Sequence, residues 1–199
     1  KNTTGCHNIA IGNGAFQTNT GGSHNIALGN YGLGFNTCGS FNFAAICNAL
    51  RCNTSGSNNF AVGLSALCNN TLGCNNVAIG SNALATNTTG SNNIAIGCCV
   101  VYNNTTGSGN TAIGQGSLLS NTWGYDNVAI GCGALRANVS GCFNVAVGRN
   151  TLYCNTTGSN NTCASCCCTK AHYIYLEVVA VKAVGCVNVK LLVNVHPLA

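Results

Sequence analysis

Polar and apolar positions alternate over short stretches, and the stretches recur at a fixed step. Asn8-Ile9-Ala10-Ile11-Gly12 is the first copy, and its leading residue returns at Asn25, Asn42, Asn59, Asn76, Asn93, Asn110, Asn127 and Asn144. The step is 17 residues throughout, with no insertion or deletion. Alternation of this kind with branched residues predicts one short strand per copy. Between strands run an Asn column from Asn2 to Asn155, a Thr column from Thr3 to Thr156 that is broken at Val139, and a Gly column from Gly5 to Gly158. Asn, Thr and Gly in that order are turn chemistry, because Asn and Gly accept left-handed backbone and the side chains bond local amides. The period is too short for a pair of helices. It predicts an all-β chain: a parallel β-solenoid of ten coils over residues 1–168.

Alternation also divides the strand between two faces. Ile9 and Ile11 point one way, Asn8 and Ala10 the other. The Ile, Val and Leu columns, joined by Phe16, Leu33, Leu50, Leu67 and Leu84, are expected to form the interior. The Asn8 column is expected to stack as a ladder of side-chain amides. Ala10, Ala27, Ala61, Ala78, Ala95, Ala112, Ala129 and Ala146 then fall on the outer face. A strictly small residue there points to close approach by another subunit. From Thr169 the period is lost, and residues 169–199 read as a separate β segment. Val187, Val189, Leu191 and Val193 alternate with Asn188, Lys190 and Asn194. That segment is expected to act either as a cap on the last coil or as a strand that joins the next subunit.

Composition narrows the function. Only 5% of the 199 residues are charged, and Asp126 and Glu177 are the two carboxylates. Paired-carboxylate glycosidase chemistry and calcium repeats both need more. The seven Lys and Arg are scattered, unlike the clusters of a nucleic-acid binder. No apolar run is long enough to insert in a membrane as a helix. A Ser-His-Asp triad would need Asp126, which lies six coils from His24, so no catalytic residue and no cofactor is expected. His7 and His24 read as a surface stack. The chain opens at Lys1 inside a repeat, as a processed or incomplete chain would.

The 16 cysteines do not read as a simple disulfide framework. Cys6, Cys74 and Cys142 stand where other copies carry mostly Ser. Cys47, Cys98 and Cys132 stand where others carry Asn, Ser or Gln. Most read as small space-filling thiols, with bridges between chains the alternative. No two are one period apart. Cys52 with Cys68, and Cys168 with Cys186, come within one residue of register and are the disulfide candidates. Cys163, Cys166, Cys167 and Cys168 with His172 supply enough ligands for zinc, without a second paired knuckle.

The run Asn75-Asn76-Val77-Ala78-Ile79-Gly80 resembles the repeats of trimeric autotransporter adhesin heads, and the Asn-Thr-Thr-Gly-Ser turns are similar to those of bacteriophage tail fibres. The resemblance covers residues 1 to about 165. It implies a left-handed parallel β-roll, side-by-side trimers and binding to host surface molecules. The expected function is an extracellular fibre or filament subunit at a cell or virion surface, with further copies of itself as partner. The alternative is a receptor-binding head that takes a host-surface ligand, with Tyr31, Phe41, Trp123, Tyr125 and Phe143 as the variable surface. Ice binding through the Thr column is a third reading. Asn53, Asn87, Asn104, Asn138 and Asn155 also match the glycosylation acceptor triplet.

Overall fold

The computed structural model describes residues 2–164. It has one three-residue strand per coil: β1 (Ile9–Ile11), β2 (Ile26–Leu28), β3 (Phe43–Ala45), β4 (Phe60–Val62), β5 (Val77–Ile79), β6 (Ile94–Ile96), β7 (Thr111–Ile113), β8 (Val128–Ile130) and β9 (Val145–Val147), followed by the two-residue β10 (Thr162–Cys163). All ten are parallel and stack in chain order in a single sheet. The register is one period at every step, as in Ala78 opposite Ala95. The fold is therefore an all-β parallel solenoid of about nine turns. The segment 169–199, with its expected strands, lies outside the described residues.

Most of each coil is turn, yet its amides bond from coil to coil as a sheet would. The amides of Thr54, Ser55 and Gly56 all donate to the Thr71 carbonyl, each at 3.1 Å. The Thr54 hydroxyl joins them at 3.0 Å. Three successive N–H groups make a concave nest for an acceptor, and here the next coil fills it. Corners are made by left-handed residues. One coil turns at Asn75 (φ 58°), Asn82 (φ 56°) and Leu84 (φ 51°). Asn takes this region readily; Leu does not, so packing must hold the Leu column in place.

The interior is the reverse of the face assignment read from alternation. Ala27, Ala44, Ala61, Ala78, Ala95, Ala112, Ala129 and Ala146 are fully buried in the core. Only Ala10, in the first coil, is exposed. The Ile and Val columns face out: Ile11 is 64% exposed and Ile79 36%. The Ala column is thus no subunit contact, because no part of it from Ala27 to Ala146 reaches the surface. The physical reason is the size of the coil. Seventeen residues with three left-handed corners enclose a narrow bore, and two Asn columns already occupy part of it. The Leu column takes more of it, and at the strand position only the space of a methyl group is left. The Leu column does point inward as expected, with Leu33, Leu50, Leu67, Leu84, Leu118 and Leu135 fully buried. A second small column, Ala49, Ala66, Ala83, Val100 and Ala134, packs beside it.

Ala95→Leu should therefore destabilise the chain by about 1–3 kcal/mol through overpacking. Ile96→Ser, on the adjacent outward position, should cost less than about 1 kcal/mol. Urea denaturation followed by circular dichroism checks the order; equal costs would mean that the bore is not where the structure puts it.

Candidate functional site

The most organised chemistry in the molecule is its polar core. Sixteen asparagines are buried, and they form two ladders. In the first, the Asn76 side-chain amide donates to Asn59 Oδ1 at 3.1 Å and to the Gly90 carbonyl at 2.9 Å. Asn76 Oδ1 in turn accepts from the Asn93 backbone amide at 3.0 Å and from Asn93 Nδ2 at 3.1 Å. Donors and acceptors are matched, which is what a buried amide requires. The same bonds recur along Asn8, Asn25, Asn42, Asn59, Asn93, Asn110, Asn127 and Asn144. In the second ladder Asn87 Nδ2 donates to Asn70 Oδ1 at 2.8 Å and to the Gly90 carbonyl at 2.9 Å. Gly90 thus receives one amide from each ladder and ties them together. A Cβ at Gly90 would sit 2.4 Å from Asn87 Oδ1 and from the Gly107 carbonyl, so the position admits only glycine.

A third, smaller ladder explains several cysteines. The Ser57 amide donates to Cys74 Sγ at 3.3 Å, and the Cys74 amide donates to Ser91 Oγ at 3.0 Å. Cys74 also bonds the Leu72 carbonyl, just as Ser91 bonds that of Thr89. Cys therefore replaces Ser with the hydrogen bonding kept.

The other sequence candidates are distributed as follows. Cys52 and Cys68 are both free thiols, yet they are neighbours: the Cys52 amide donates to the Cys68 carbonyl at 2.8 Å. Burial first, and then Cys52, push the Cys68 thiol up, while the Arg51 guanidinium pulls it down and a thiol hydrogen bond to Cys52 pushes it up again. Cys163 is disulfide-bonded. Cys166, Cys167, Cys168, His172 and Cys186 lie outside the described residues, as do Val187, Val189, Leu191 and Val193. Among the described residues no three His, Cys, Asp or Glu side chains meet in a metal-binding group.

The five aromatic candidates fall in separate places. Tyr31 joins Phe35 around Arg51, whose guanidinium lies 5.5 Å and 5.4 Å from the two ring centres. Phe41 stacks on His24, which stacks on His7 at 4.7 Å. Tyr125 and Phe143 meet edge to face at 5.1 Å, with Trp123 exposed in the same turn as Tyr125. His24 and Asp126 are six coils apart, about 29 Å at the strand spacing, and do not meet. Asn53, Asn87, Asn104 and Asn138 are buried rungs whose Nδ2 atoms each donate two bonds, so the folded coil presents no glycosylation acceptor there. The Thr hydroxyls donate to the next coil's carbonyls, as Thr20 does to Thr37 at 3.0 Å.

Comparison with models of protein families, with curated proteins and with solved structures gives no match. The reading of function therefore stands on the geometry.

One feature was not read from the sequence. The outward strand positions make a continuous apolar face that runs the length of the sheet. Column strictness is the signal that carries it: the Ala positions hold Ala in nine successive coils, whereas the Ile9 positions accept Ile, Phe, Val and Thr. A confined site tolerates one size and an open one tolerates several.

Asn76→Ala removes four hydrogen bonds and leaves the buried Asn93 backbone amide without its acceptor, and should cost about 3 kcal/mol or more. Asn76→Asp should cost at least as much at pH 7, because a carboxylate would face Asn59 Oδ1 and the Gly90 carbonyl. Those acceptors and burial raise the folded-state pKa of the new carboxyl above its unfolded value of about 4. Its penalty is full at pH 7 and fades as pH falls to that value. Thermal unfolding relative to wild type should thus improve on acidification for Asn76→Asp alone.

Cys68 should alkylate several-fold more slowly than exposed Cys38 when the chain is treated with iodoacetamide at pH 8, read by peptide mass spectrometry.

Proposed function

We propose that the chain is a structural rod, the subunit of an extracellular fibre or surface filament at a cell or virion surface. One observation carries this reading: each coil is bonded to the next by its strand and by its Asn side chain, without an interruption from β1 to β9. Such a stack resists bending and stretching because each step must break amide bonds in several columns together. Among the described residues it also uses no charge pairs as struts. Asp126 is the only carboxylate side chain among the described residues. The bonding that stiffens the rod is neutral and indifferent to salt. The likeness of the Asn-Val-Ala-Ile-Gly copies to adhesin heads and tail fibres supports the same class.

A second reading, a receptor-binding head that recognises a host-surface ligand, is favoured by Trp123, Tyr125 and Phe143. These three are exposed on neighbouring coils, and Trp and Tyr are the residues that most often anchor binding surfaces.

Small-angle scattering of the native chain should show an elongated single chain, or filaments and bundles built from it; an isotropic single chain would end the rod reading. Its melting temperature should change by less than a few degrees between low salt and molar NaCl. A large salt dependence would mean that charge, not the amide ladders, holds the coil.

A further inference from the structure

The outer face of the sheet is inverted relative to an ordinary half-buried strand: its branched side chains point to solvent. Two positions per strand face out from β1 to β9, and of these eighteen residues seventeen are apolar and the other is Thr111. None is charged. Ile9, Ile11, Phe60, Ile79, Ile94, Ile113, Ile130 and Val147 are all exposed by a third or more of their surface. Phe43 and Phe60 already stack along the column at 4.9 Å. At about 4.8 Å per coil the strip is about 43 Å long, and with two side-chain columns it is roughly 12 Å wide. That is about 500 Å² of apolar surface, as large as the biggest patch of an ordinary monomer.

We propose that this strip is a self-association surface, and that its occupant is the same strip of a second copy, sheet against sheet. The proposal rests on the rod reading above and names how rods join. Three observations select a second copy over an unrelated partner. The first is area: two such strips bury about 1,000 Å² in total, the lower bound for a specific interface between proteins. The second is pitch. Side chains repeat every coil, about 4.8 Å apart. A second copy has the same repeat, so each row meets a row over the full length. A partner without that repeat falls out of step within a few coils. The third is charge. With no charge on the strip, bringing two identical faces together meets no repulsion. Facing sheets about 10 Å apart then interlock through their side chains, and the pairing is isologous, with the same columns on both sides.

The test is sedimentation velocity on the full chain at micromolar concentration. Wild type should sediment at twice the monomer mass. Ile79→Lys with Ile113→Lys puts charge at two rows of the strip. It should give monomers with an unchanged β-type circular dichroism spectrum. Leu72→Lys, on an exposed turn outside the strip, should stay paired. If the Lys variant loses its spectrum, Ile79→Thr with Ile113→Thr replaces it, since Thr111 already occupies the strip. Wild-type monomers, or pairs that survive loss of the two isoleucines, overturn the proposal. Small-angle scattering of the Ile79→Lys, Ile113→Lys chain separates the two levels: an elongated monomer keeps the rod even where wild type fails to pair, whereas an isotropic monomer removes both.

Discussion

Each coil is closed by one carbonyl of the glycine column, and that carbonyl receives two side-chain amides. At Gly90 they come from Asn87, three residues earlier, and from Asn76, fourteen residues earlier. The arrangement pins both ends of the turn to one point and sets the distance across the bore. It needs glycine at that point, because any Cβ would meet the Gly107 carbonyl and Asn87 Oδ1. It also needs every coil to have the same length. A single inserted residue would shift one Asn column against its neighbour and break two bonds per amide. The absence of any insertion over nine turns follows from that.

A polar interior of this kind changes which forces set stability. A buried amide without partners costs more than a paired one returns, so the ladders act chiefly as a constraint: the chain folds in register or the penalty is large. The favourable part comes from burying the Leu and Ala columns, which is modest per coil, and from the regular backbone bonds between coils. Stability then adds up coil by coil, as in other stacked architectures. The Leu column illustrates how firmly the stack decides local conformation. Leu84 sits at φ 51°, in a region its own preference opposes, because its side chain has no other space inside the bore.

Much of this was legible in the sequence. A fixed step of 17 with strand alternation gives the architecture, and an Asn in every copy gives the ladder. The face assignment was not legible from alternation, since period-two patterns say which residues share a face but not which face is inside. Hydrophobicity pointed to Ile9 and Ile11; size points to Ala10. In a wide coil hydrophobicity would have decided. In a narrow one, volume does, and the uniformity of Ala27 to Ala146 beside the variety of Ile26, Phe43, Val77 and Thr111 was the usable clue. Neighbouring thiols in adjacent coils, as at Cys52 and Cys68, were also readable from register alone. The branched apolar face was readable as a pattern and misread as a core.

The inversion separates two tasks that most β proteins assign to the same residues. Inward columns of Asn, Gly, Ala and Leu make the coil; outward columns of Ile, Val and Phe are free of that duty. Along the flank of the stack the strand amides are used by the coils above and below, as Ile94 donates to Asn110 and Gly97 to Ile79. No unpaired sheet edge runs down the side, so the flank cannot recruit another chain by adding a strand, which is the usual hazard of exposed β structure. What it offers is side chains alone, at fixed spacing on a stiff support. Association through such a face is limited to surfaces whose spacing agrees with it over many rows. An apolar strip of this size is therefore compatible with a well-behaved chain: along the flank the strand backbone is engaged between coils, and only a matched face gains enough from contact to stay.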